Sequence, residues 1–145
     1  MINQVSVFIQ NQEGKLGHVL RVLADADVNI RSLNIAETAD YGILRLILQD
    51  TDKGMKALKD NGVMANITRV LAAEVPDRPG GLSSIVEALG EAKININYAY
   101  SFLPQNTSNA IIIFKVMDDD KARAIETLTH NSAIQLLDRN ELLMK

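Results

Sequence analysis

Leu16, Val19, Leu20 and Leu23 fall at i, i+3, i+4 and i+7, the spacing that puts apolar side chains on one face of a helix. The same stripe returns as Leu82, Ile85, Val86 and Leu89. Ahead of the first stripe, residues 5–10 alternate and stop at Asn11-Gln12-Glu13-Gly14, which predicts a strand running into a loop. After the stripes, residues 28–36 and 94–102 read as strands. In the second of these Ile94, Ile96, Tyr98, Tyr100 and Phe102 are expected on the core face, with Asn95, Asn97, Ala99 and Ser101 on the other. Residues 43–49 and 111–116 are dense in branched apolar side chains and predict strands buried on much of both faces.

Aspartates follow both of these strands. Asp50 and Asp52, and the run Asp118-Asp119-Asp120, stand where a helix start favours oxygen acceptors and negative charge. The helices they open carry Met55 and Leu58 in one case and Ala122, Ile125 and Leu128 in the other. Short strands at 64–69 and 134–138 close each series, and residues 70–75 form a further strand with no linker before it.

These elements occur twice. An offset of 66 residues superimposes Gly14 on Gly80, Leu16 on Leu82, Leu23 on Leu89, Ala26 on Ala92, Asn29 on Asn95 and Ile30 on Ile96. Two copies use up 145 residues, so each is a whole folding unit rather than a rung of a stacked array. The expected organisation is one module at 1–69 and a second at 70–145, each strand-helix-strand-strand-helix-strand. That order predicts an α+β fold of two tandem ferredoxin-like βαββαβ modules with antiparallel sheets, packed side by side. Modules of this size bury little surface alone and gain by packing on a neighbour.

Composition narrows the function. With 47% apolar and 23% charged residues the chain reads as globular, and a net charge of −3 leaves no basic surplus for nucleic acid. The absence of cysteine removes disulfides and thiolate metal sites. The first residues lack the pattern of a secretory signal, and no apolar run approaches a membrane span, so a cytoplasmic protein without membrane contact is expected. His18 and His130 lie in different modules without spaced partners, and there is no phosphate loop or nucleophile elbow. The expectation is a protein that is not an enzyme and has no metal or cofactor.

The stretch Val75-Pro76-Asp77-Arg78-Pro79-Gly80-Gly81-Leu82 followed by Ile94-Asn95-Ile96 resembles the signature of the ACT domain family. The first copy, Ile9 through Leu16 with Val28-Asn29-Ile30, resembles it too, with Glu13 where the second has Pro79. The resemblance implies a regulatory module that binds a free amino acid at an interface between modules, in a free-standing tandem protein. Carried over by position, the implied ligand residues are Asn11, Glu13, Gly14, Lys15, Leu16 and Asn29 in the first module. In the second they are Asp77, Pro79, Gly80, Gly81, Leu82 and Asn95.

The residue chemistry at that loop is compatible. Backbone N–H groups at a helix start attract a carboxylate, Gly80-Gly81 leaves the approach open, and Asp77 or Asn95 offers an acceptor for an ammonium. The same stretch also reads as a plain tight turn, and Asn29 and Asn95 as turn residues satisfying their own backbone. The Asp118–Asp120 run reads as a helix cap rather than a cation site, and Tyr98 and Tyr100 as core. Leu33, Ile35, Ala72 and Leu103 are placed on the helix-free faces, where a symmetric pairing into a homodimer would cover them. The alternative function is an interaction subunit that docks on an amino-acid biosynthetic enzyme without binding ligand itself.

Overall fold

The computed structural model describes residues 1–37 and 40–145. The elements are β1 (Ile2–Gln10), α1 (Lys15–Asp25), β2 (Ile30–Glu37), β3 (Tyr41–Leu48), α2 (Thr51–Asp60), β4 (Ala65–Val75), α3 (Gly81–Glu91), β5 (Ile96–Phe102), β6 (Ala110–Val116), a 3-10 turn (Asp118–Asp120), α4 (Lys121–Thr129), β7 (Gln135–Leu136) and α5 (Arg139–Met144). This is the βαββαβ order twice over, with antiparallel sheets. The chain divides into two compact units, Asn3–Thr68 and Arg69–Lys145 with Met1–Ile2. The division falls inside β4, so the strands expected separately at 64–69 and 70–75 are one continuous strand. No described helix is long and apolar enough to cross a membrane.

In the unit 3–68, β3 lies between β1 and β2, and residue 68 of β4 meets β1 on its other side, the Ser6 and Thr68 hydroxyls standing 2.9 Å apart. Val5, Val7, Leu44, Leu46 and Leu48 of the sheet pack against Val19, Val22 and Leu23 of α1 and Leu58 of α2. Asp50 caps α2 by accepting from the Lys53 N–H at 3.1 Å, as an aspartate at that position favours.

The second unit repeats this frame. β6 lies between β4 and β5, and β7 pairs with β4 through Ala73↔Leu136 and Glu74↔Gln135. Its core joins Leu71, Ala73 and Val75 to Ile85 and Leu89 of α3, Ala124 and Leu128 of α4, and Phe114 and Val116 of β6.

Several expectations are corrected. Each strand after the first helix carries a bulge, between Ile30 and Ser32 in β2 and between Ile96 and Tyr98 in β5. The extra residue reverses which face the following side chains take. Ile96 therefore stays with the helix-side core, while Tyr100 and Phe102 pair with Ile113 and Ile111 on the opposite face. In β2, Leu33 and Ile35 pair with the core residues Leu46 and Leu44, so they lie on the helix side of an edge strand that the helices leave partly open. Ala72 is buried rather than exposed, and only Leu103 of that group stands well clear, at 79% exposed.

In α4 the buried residues are Ala124 and Leu128, one turn apart; Ala122 and Ile125 face out. The three aspartates form a 3-10 turn in which none caps a helix by its side chain. Asp118 instead bridges Lys121 at 2.8 Å and Lys115 at 3.5 Å, which hold its carboxyl below the usual range, and Asp120 pairs with Arg123 at 2.6 Å. Last, α5 follows β7 behind a capping box between Asp138 and Glu141.

Candidate ligand site

The two strand-to-helix loops have the same backbone. In the first, Gln12 N–H donates to Gln10 C=O (2.8 Å), Lys15 N–H to Gln12 C=O (3.3 Å) and His18 N–H to Gly14 C=O (3.0 Å). In the second, Arg78 donates to Pro76 (3.0 Å), Gly81 to Arg78 (2.9 Å) and Ser84 to Gly80 (3.2 Å). Gly14 and Gly80 occupy the cap positions at φ of 82° and 85°, a left-handed conformation that costs a residue with a Cβ about 1–2 kcal/mol. Among the described residues, neither helix start has a side-chain cap hydrogen bond. The second loop is thus a tight turn, but Asp77 does not cap it.

Asn11, Glu13, Gly14 and Lys15 are exposed, while Leu16 is half-buried against the first core. Asp77, Pro79, Gly80 and Leu82 are exposed too. Gly81 differs from the expectation of an open approach. It is buried, and a Cβ there would run into the Pro76 main-chain oxygen, so glycine is required by packing within the loop.

Asn29 and Asn95 are exposed, and neither side chain has a hydrogen-bond partner among the described residues. The Asn29 carbonyl accepts from Gln49 N–H (2.9 Å) at the end of the sheet away from the loop, because α1, eleven residues and about 16 Å long, separates the two. Asn95 is likewise separated from its loop by α3. Within one module the loop and the asparagine are not brought together.

A cavity of about 680 Å³ opens beside the first loop. Phe8, Ile9 and Gln10 of β1 form one wall, Lys15, His18 and Val19 of α1 another, and Gly62, Val63, Met64 and Asn66 around the start of β4 the third. Phe8 is 58% exposed, its ring 6.0 Å from that of Tyr41. Neither Lys15 nor His18 makes an ion pair or side-chain hydrogen bond among the described residues. Of the residues expected from the sequence, Lys15 alone lines this cavity. Phe8, His18, Met64 and Asn66 were not expected, although the spacing of His18 three residues after Lys15 on one helix face was available to suggest it. No three described His, Asp or Glu residues stand close enough to hold a metal ion.

Residues 1–144 match the family model for an ACT domain pair. The chain belongs to that family. A crystal structure of a protein from Bacteroides thetaiotaomicron is 38% identical to this ACT pair, covering 99% of this chain and 96% of that one, with a TM-score of 0.87. The regulatory subunit of aspartate kinase from Thermus thermophilus shares the fold at 14% identity and a TM-score of 0.60, covering 86% and 88% of the two chains. The corresponding subunit from Thermus flavus does so at 14% and 0.57, over 88% and 91%. No curated protein matches the sequence.

Proposed function

We propose that this ACT pair is a regulatory protein that binds a free amino acid and passes its occupancy to an enzyme of amino-acid metabolism. The reading is carried by the repeated loop: two glycine-capped helix starts with matching hydrogen bonds and no side-chain acceptor for the first-turn N–H groups. Such a turn offers backbone donors and the positive end of a helix to a carboxylate. Asn29 and Asn95, with exposed and unpartnered amides, add ligand contacts in this reading. Since α1 holds Asn29 away from its own loop, a ligand that touches a loop and an asparagine draws them from different modules, and the working form in this reading is a homodimer. Asp77, Pro79, Gly80, Gly81 and Leu82 shape the second loop, as Asn11, Glu13, Gly14, Lys15 and Leu16 shape the first. A partner enzyme fits the same frame, as in the crystal structure of aspartokinase alpha and beta subunits, one chain of which shares this fold at a TM-score of 0.54.

The test is a thermal-shift screen over the twenty amino acids. A ligand bound only by the folded chain and present at 100 times its Kd adds about 2.7 kcal/mol, several degrees in Tm. A flat response to all twenty at millimolar concentration contradicts the reading.

A further inference from the structure

We propose that the ligand is an α-amino acid with an apolar side chain and that the first module alone holds it, in the 680 Å³ cavity, with its carboxylate on Lys15 and His18. This rests on the amino-acid reading above and narrows its two loops and two asparagines to a single cavity in the first module, adding the class and the number. The volume is in the range of small-molecule sites, roughly 300–1,000 Å³. Lys15 and His18 occupy one face of α1, both are exposed, and neither is engaged by another described residue. An ammonium and an imidazole N–H converging on one cavity supply charge-assisted donors to a carboxylate.

The rest of the lining selects the side chain. Ile9, Val19 and Met64 are apolar, and no acidic residue among the described ones lines the cavity, so a basic side chain has no partner there. An acidic side chain would have to place its second carboxylate against the apolar walls or share the same two donors, leaving one charge poorly compensated. The neutral Asn66 amide oxygen is the acceptor for the ligand's ammonium. Glu13 is not part of the lining.

The same offset that superimposes the modules explains why the second does not match. Lys15 corresponds to Gly81, buried in its loop, and His18 to Ser84, whose hydroxyl donates to the Gly81 carbonyl at 2.7 Å. Both side-chain donors are therefore absent from the second module.

Calorimetric titration of the full chain with leucine, methionine, phenylalanine, glutamate and lysine tests this, alongside Lys15→Met, His18→Gln and, as a second-module control, Ser84→Ala. The expected result is one apolar ligand per chain, bound more tightly than glutamate or lysine. Each cavity substitution should weaken it about tenfold or more, with the control unchanged. Because Lys15 and His18 are exposed and unpartnered, ligand-free melting should stay at the wild-type value, which separates lost binding from lost folding. Tighter binding of glutamate or lysine, two ligands per chain, or full affinity in both cavity variants overturns the inference while leaving the amino-acid reading intact. Failure of every amino acid to bind overturns both.

Discussion

Glu74 is 4% exposed, with its carboxylate hydrogen-bonded through Oε1 alone while the buried Oε2 has an ion pair and no hydrogen bond. Oε1 accepts from Thr107 Oγ1 at 3.1 Å and Asn109 Nδ2 at 3.0 Å, and Oε2 stands 3.0 Å from Lys145 Nζ. These contacts tie β4 to the segment between β5 and β6 and to the residue after α5. The Lys145 main-chain oxygen accepts from the N–H groups of Gln105 and Asn106, and Asn106 Nδ2 donates to the Met144 C=O at 2.8 Å. Removing one partner of a buried ion pair costs about 3–5 kcal/mol, and a stranded neutral donor about 1 kcal/mol more. Lys145 retains some access to water at 27% exposed, and Asn109 is exposed, so the lower part of that range applies.

Glu74→Ala should therefore destabilise the protein by about 3 kcal/mol and lower Tm by roughly 6–12 °C for a chain of this size. Glu74→Gln keeps the shape and one acceptor and should cost about 1–2 kcal/mol. Burial pushes the Glu74 carboxyl up, but the donors Lys145, Asn109 and Thr107 and the lysine charge outweigh it, so its pKa lies below the ordinary glutamate value. A depressed folded-state pKa gives stability that is present at neutral pH and lost as pH falls through that value. The gap between wild type and Glu74→Gln should thus be full at pH 7 and shrink below about pH 4. Urea or thermal unfolding across pH reads both quantities. If Glu74→Ala melts within a degree of wild type, or the gap to Glu74→Gln persists unchanged into acid, the proposed buried network does not stabilise the fold.

Three further outcomes follow from the loops and caps. Gly81→Ala, driven against the Pro76 carbonyl, should lose about 1–3 kcal/mol by thermal melting, whereas Gly80→Ala should lose only the left-handed backbone penalty of about 1–2 kcal/mol, since nothing lies within 4 Å of its Cβ position. Asp50→Ala removes a cap and should cost about 1 kcal/mol, while Asp119→Ala, which caps nothing by its side chain, should melt as wild type. Light scattering at micromolar concentration should read twice the chain mass if the proposed homodimer forms; a clean monomer contradicts it.

Much of the fold was legible because the apolar stripes of α1 and α3 and the glycine loops before them are local and repeated. What the sequence hid was set by partner strands. The bulges after Ile30 and Ile96 carry no residue that marks them, yet they reverse the faces of Leu33, Ile35, Tyr100 and Phe102. In α4, Ile125 matched the apolar spacing, but the core selected Ala124 and Leu128 one turn apart. The α5 capping box, Asp138 to Glu141, is a local signal that the sequence carries in full. At the site, Lys15 was reachable from the loop alone. Met64 and Asn66 belong to the cavity only because the return from α2 brings them beside β1, a pairing no linear motif records.

The central claim is that this ACT pair senses a free amino acid at its first loop. Amide chemical-shift mapping of the labelled chain with leucine, methionine or phenylalanine tests occupancy and location together. The expected result is saturable shifts at residues 8–19 and 62–66 with smaller changes at residues 74–84. Spectra unchanged by every amino acid, or shifts confined to other parts of the chain, would contradict it.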